Sequence, residues 1–366
     1  HYAAKYGYIG VCQLLLEHFR DENPKNKADK TPLELAIQFN NYFVCELIIR
    51  KCEAKNPMVV RPEAAITPVS FKRPWIFTFP TIFSDLSTIL NPLNQDGLTP
   101  LHVAAISGRK DLCQLIMKNL ADKNPKSTQN EPLYGLTPLH LAAREGHLSI
   151  CELILKNVDN KNPYDKLRRS PLNMAARRGH LSICRLLYEN AHDITDRDLC
   201  LLLEAAVYGG NYDICKFFVM KIGCKVLGYI DLSLRAVATT GNLKICELLI
   251  ENLKINRRTE HNYDTPLHAA AKHGHFDIYK LIMKGFRDKN PKDYRGNTPL
   301  HLAARMGHFN LCELIILNVV NKNPINLRYE TPMMVAAISN HDAVCDFLKK
   351  SVRDCKVKSS LETENY

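Results

Sequence analysis

The tripeptide Thr-Pro-Leu recurs at Thr31, Thr99, Thr137, Thr265 and Thr298, with Thr331-Pro332-Met333 as a near match, and the last three starts lie 33 residues apart. Self-similarity at such a period restricts a chain to arrays of one small supersecondary unit. A unit this short cannot bury its apolar face alone, so stacking of neighbours must supply the core. The fullest copy runs Thr137-Pro138-Leu139-His140-Leu141-Ala142-Ala143-Arg144-Glu145-Gly146-His147 and continues to Cys151-Glu152-Leu153-Ile154. Thr is a good helix N-cap, and Pro is tolerated at the first helical position because its missing N–H would be orphaned there. Gly146, with Gly7, Gly108, Gly179, Gly274 and Gly307 in its register, predicts the end of a first helix. A second helix then carries an apolar stripe such as Leu148, Ile150, Leu153 and Ile154. A Gly- and Asn-rich hairpin, as in Asp293-Tyr294-Arg295-Gly296-Asn297, separates the units.

This period and the Thr-Pro-Leu-His-x-Ala pattern resemble the ankyrin-repeat family, over nearly the whole chain. The resemblance implies an all-α fold: an α-solenoid of about eleven repeats in a curved, right-angled stack. Repeats start at His1 (truncated), Thr31, Thr67, Thr99, Thr137, Ser170, Leu201, Leu232, Thr265, Thr298 and Thr331. Those at Leu201 and Leu232 lack Thr-Pro but keep the small pairs Ala206-Val207 and Val237-Ala238 and the turn residues Gly210 and Gly241. The resemblance also suggests that the rings of His102, His140, His268 and His301 bond across the Thr-Pro turn.

Residues 1–57 hold repeats one and two, and because His1 falls mid-repeat we expect the chain to be a fragment of a longer protein. Residues 58–91 are rich in aromatics and Pro; Pro74 would fall inside a first helix and Pro80 near its turn. They read as a decayed repeat starting at Thr67, as a loop insertion between two stacks, or as a mispredicted exon. Residues 92–350 hold repeats four to eleven, ending in the charged Asp346-Phe347-Leu348-Lys349-Lys350, which suits a cap facing water. The polar tail, 351–366, is expected to fray.

The 13 Cys would suggest disulfides in a small secreted domain, but nine of them (Cys12, Cys45, Cys113, Cys151, Cys184, Cys215, Cys246, Cys312 and Cys345) share one repeat position. Tyr279 stands there in the ninth helix pair. His147 and Cys151 have a spacing that would share a helix face toward a metal, but each repeat offers two ligands where a structural zinc site needs four. Cys as a small buried hydrophobe explains the pattern better. Reduced thiols point to a cytoplasmic protein, with the nucleus as the other such compartment. We expect no signal peptide, and the most apolar stretch, residues 75–90, is too short and too broken to span a bilayer. No phosphate-binding Gly loop and no Ser nucleophile motif is present, so we expect neither an enzyme nor a bound cofactor or metal.

Asn-Pro closes most repeats, at Asn23, Asn91, Asn162, Asn290 and Asn323, each eight residues before the next start. Structurally, the pair shapes the entry to the hairpin. In the resembled family, Asn at this position is a substrate of an asparaginyl hydroxylase, which nominates Asn162, Asn290 and Asn323, although the Pro that follows departs from the usual Val/Ala-rich context.

The resemblance further implies a partner-binding groove formed by the hairpin tips and the exposed end of each first helix. In this chain those positions include Arg144, Arg177, Arg178, Lys272 and Arg305 on the helices, and Tyr134, Tyr164, Arg169, Tyr294, Arg295 and Arg328 on the hairpins. Arg and Tyr are enriched in binding hot spots. With a formal net charge of +11, the chain favours acidic partners. The leading expectation is a monomeric, non-catalytic signalling scaffold or adaptor that binds acidic or phosphorylated protein segments. Alternatives are a regulatory array in a larger channel, kinase or ubiquitin-ligase protein, and nucleic-acid binding on the basic groove.

Overall fold

The computed structural model describes residues 1–18, 24–54, 93–94, 96–120, 122–128, 135–222, 230–252 and 264–363. Among these the protein has 20 helices and no strand, in ten successive pairs. The proposed repeat at Thr67 lies outside the described residues. The chain divides into two compact units, residues 1–175 with 182–191, and residues 176–181 with 192–366.

The Thr137 repeat of the first unit shows how the sequence sets the local structure. Thr137 is extended (φ −109°, ψ 165°) and caps the helix Pro138–Glu145, with Pro at the start of the first turn. The amide and hydroxyl of Thr137 both donate to His140 Nδ1, at 3.1 and 2.9 Å. Gly146 stops the helix in the left-handed region, φ 86°. The second helix, Leu148–Leu155, runs back and buries Ile150, Cys151, Ile154 and Leu155. Ala142 and Ala143 are fully buried, so neighbouring first helices approach closely. The expected function of the small pair is thereby seen as packing. Where the turn lacks Gly, Asn40 and Asn340 take the same conformation at φ 61° and 59°, the residue type that tolerates it next best.

The hairpins have their own logic. In five of them the first residue is Asn or Asp (Asn26, Asn94, Asp165, Asp293, Asn326), and its side-chain oxygen accepts the backbone N–H four residues on. This side-chain turn closes each of these five without a strand ladder.

Two boundaries differ from the sequence reading. The helix expected from Leu201 starts at Asp196: Thr195 caps it, and Asp198 accepts the Thr195 amide at 3.0 Å while Thr195 Oγ1 accepts the Asp198 amide at 3.2 Å. This reciprocal pair replaces Thr-Pro as the start signal. The last helix, Asp342–Thr363, continues past Lys350 through most of the expected frayed tail. No Gly or Pro interrupts that stretch.

Candidate partner-binding surface

Four hairpins are fastened by a histidine on the preceding first helix. In the first unit His102 Nε2–H donates to the Leu136 carbonyl and His140 Nε2–H to the Arg169 carbonyl, both at 3.0 Å. In the second, His268 reaches Asn297 at 3.0 Å and His301 reaches Glu330 at 3.1 Å. The expected bond across the Thr-Pro turn is present, and the same ring also fastens the next hairpin. Burial holds His102, His140 and His301 neutral, with pKa values lowered to about 4. A second set faces backward: His147 donates to the Ile106 carbonyl at 2.9 Å and His341 to the Arg305 carbonyl at 3.0 Å. Asn41 does the same toward Ala4 at 2.7 Å.

The expected contact residues divide by unit. In the first unit Arg144 Nε pairs with Glu145 at 2.6 Å, and Arg169 Nε pairs with the buried Asp165 at 2.7 Å. Tyr164 is half-buried, its carbonyl accepting from Lys126 at 3.3 Å. Tyr134 lies outside the described residues. The basic character of this unit's tips is therefore partly neutralised internally.

In the second unit Arg177, Arg178 and Lys272 are exposed, and none forms an ion pair among the described residues. Tyr294 is exposed, with the Arg295 guanidinium 5.1 Å from its ring centre. Arg295, Arg305 and Arg328 come together on one cavity of about 160 Å³, lined also by Asn297, Asn326, Glu330, Val335, Ile338 and Ser339. Its floor is tied together: Asn326 Nδ2 donates to Asn297 Oδ1 and to Glu330 Oε2, both at 2.9 Å. The Leu327 amide donates to the Arg295 carbonyl at 3.0 Å, so the two hairpins are linked through their backbones too.

The sequence nominated the arginines one by one. It did not reveal that three of them share a cavity. Spacing alone carries a signal, since Arg295 and Arg328 are 33 residues apart, but a repeat period does not say which helix-end residue lies between two tips.

The Asn-Pro positions have structural partners. Asn290 Oδ1 accepts the Leu300 amide at 3.1 Å, capping the next first helix, and Asn124, which the sequence reading passed over, does so for Leu139 at 3.2 Å. The amides of Asn162 and Asn323 donate to Asn160 and Asn321 at 3.2 and 3.1 Å. Asn290 lines a second, open cavity of about 510 Å³ with Lys289, Lys292 and Val320. Asn23 and Asn91 lie outside the described residues.

The shared cysteine position is core: eight of its nine residues are buried and Cys345 is half-buried, all free. Burial pushes the Cys45, Cys113, Cys151, Cys184, Cys215, Cys246 and Cys312 thiols up to about 12, which suppresses the nucleophilic thiolate. Among the described residues no cluster of three or more His, Cys, Asp or Glu could hold a metal, and no helix is long and apolar enough to cross a membrane.

A protein-family model described as ankyrin repeats (3 copies) matches residues 82–165, 139–229, 233–326 and 295–360.

Proposed function

The chain belongs to the ankyrin-repeat family, whose arrays are generally protein–protein interaction modules rather than catalysts, and on that premise we propose that it is a scaffold or adaptor that binds acidic protein segments. The observation that carries the reading is the shared cavity of Arg295, Arg305 and Arg328, three cations without an ion pair among the described residues. Exposed Arg177 and Arg178 add positive charge to the same unit. Free cations on an ordered framework draw acidic partners in by steering and hold them by charge-assisted hydrogen bonds. The free buried thiols support a reducing compartment, the cytoplasm or nucleus.

The test is affinity capture with the intact chain beside a variant carrying Arg144→Glu, Arg177→Glu, Arg178→Glu and Arg305→Glu, once circular dichroism and thermal melting show that the variant is folded. Proteins retained by the native chain and lost from the variant, with acidic segments in common, are the expected result. Identical captured sets would refute the basic-surface reading. Tight binding to generic RNA or DNA that weakens steeply with salt would replace it with nucleic-acid binding.

A further inference from the structure

We propose that the cavity bounded by Arg295, Arg305 and Arg328 is a phosphoryl receptor: it takes the side chain of a phosphoserine or phosphothreonine in an extended partner segment with an apolar residue beside it. This rests on the reading of the chain as a protein-binding array and names the group that its basic surface recognises.

The three guanidinium groups come from three separate pieces of chain. Arg295 is on the hairpin of residues 293–297, Arg305 ends the helix Pro299–Arg305, and Arg328 is on the hairpin of residues 326–330. Guanidinium is planar, stays charged and bonds phosphate oxygens in pairs. Glu330 also lines the cavity, so the formal charge of its walls is three Arg less one Glu, or +2. A phosphoryl group carries roughly −1.5 to −2 at neutral pH and offers three acceptor oxygens. A single carboxylate would leave about one positive charge uncompensated. The Glu330 carboxylate is held by Asn326 at 2.9 Å, and that bond ties it to the floor.

The floor is preorganised. Asn297 and Asn326 are 4% and 6% exposed and bonded to one another, and each closes or completes its own hairpin. Little ordering entropy is then spent at the floor when a ligand arrives. The surroundings are apolar: Ile338 lines the cavity at 70% exposure, and Leu327 and Tyr329, which flank Arg328, are 73% and 81% exposed. Apolar side chains presented beside a cationic cavity fit a peptide that carries a phosphoryl group next to an apolar residue. They contribute nothing to binding a bare polyphosphate backbone.

The full chain should be titrated with fluorescein-labelled degenerate peptides containing a central phosphoserine or phosphothreonine followed by Leu. The same peptides with Glu in place of the phosphoresidue, and the unphosphorylated peptides, serve as comparisons. Fluorescence anisotropy should give at least about tenfold tighter binding for the phosphorylated set than for the Glu set. The double variant Arg305→Gln/Arg328→Gln should lose that advantage. The single variant Arg328→Gln, at a wholly surface position, should lose most of it, and Lys156→Gln, in the other unit, none of it. Equal affinity for the Glu peptides would overturn the proposal in favour of carboxylate recognition. Phosphopeptide binding untouched by the arginine variants would place the receptor elsewhere and overturn it as well. If no phosphopeptide binds while affinity capture still separates native from charge-reversed protein, the phosphoryl proposal fails and the protein-binding reading stands. If both experiments are negative, the protein-binding reading has failed with it.

Discussion

His140 and Arg169 are joined across 29 residues: the imidazole Nε2–H donates to the Arg169 carbonyl oxygen at 3.0 Å, while Nδ1 accepts from Thr137 on its own helix. One ring thus caps its helix and fastens the following hairpin. It works only when neutral and protonated on Nε2.

That requirement sets a pH dependence. The folded pKa of His140 is lowered to about 4, below an unfolded value of about 6.5. The unfolded chain therefore binds the proton first. The ring's stabilising contribution is complete above pH ~6.5, declines as pH falls from there, and is lost below about 4. The unfolding free energy from urea titrations should drop between pH 7 and 5, by up to about 1.4 kcal/mol per pH unit for each such histidine. His140→Gln retains an acceptor for the Thr137 amide but loses the reach to Arg169. It should cost about 1–3 kcal/mol at pH 7 and flatten the pH profile. An unchanged profile would mean that His140 is not one of the titrating groups.

Glu34 occupies the same register position and behaves oppositely. It is 3% exposed, its Oε2 accepts the Thr31 amide at 3.0 Å, and its Oε1 has no partner among the described residues. Burial raises its pKa, more than the Thr31 bond and the nearby Lys25 and Lys30 lower it. A raised folded pKa makes the folded state the better proton acceptor, so this residue's contribution grows as pH falls toward the carboxylate range. Glu34→Gln removes the buried charge while keeping the cap oxygen, and should stabilise the chain by about 1 kcal/mol at pH 7. Equal or lower stability of the variant in the same urea titration would contradict this.

Two glycines of similar φ separate backbone strain from crowding. Gly307 (φ +74°) would place a Cβ 2.6 Å from His341 Nδ1, whereas Gly210 (φ +69°) has open space. Gly210→Ala should cost only the left-handed penalty, about 1–2 kcal/mol. Gly307→Ala should cost more, because His341 must also give up its 3.0 Å bond to the Arg305 carbonyl. Equal losses by thermal melting would mean that the ring yields freely.

A consensus argument would replace Tyr279 with Cys, as in the other repeats. The geometry predicts the reverse of stabilisation. Tyr279 is fully buried and its hydroxyl donates to the Lys289 carbonyl at 2.9 Å. Tyr279→Cys should lose about 2–5 kcal/mol by opening a cavity and stranding that carbonyl. Denaturant unfolding checks it; a neutral result would show that the core collapses around the smaller side chain.

The first-helix starts after Thr31, Thr99, Thr137, Thr265, Thr298 and Thr331 were legible, because cap and proline act locally. Thr195 was missed because its partner is Asp198 rather than the expected pattern, and reciprocal capping needs only a hydroxyl and an acceptor three residues apart. The polarity of the tail hides the length of the last helix, because polar residues without Gly or Pro remain good helix formers. Arg169 and Arg328 were equal candidates in sequence. Only the structure separates them, because Asp165 pairs with one and, among the described residues, no carboxylate pairs with the other.

The forward-reaching histidine is absent from the helices Asp196–Tyr208 and Ile230–Thr240, and Ser233 Oγ is buried there without a partner among the described residues. The next two first helices, Pro266–His273 and Pro299–Arg305, carry that imidazole bolt, and the earlier two do not. Under tension the second unit would therefore yield unevenly along its length. Stretching would open the helix pairs that begin at Asp196 and Ile230 first, while the turns fastened by His268 and His301 keep their shape.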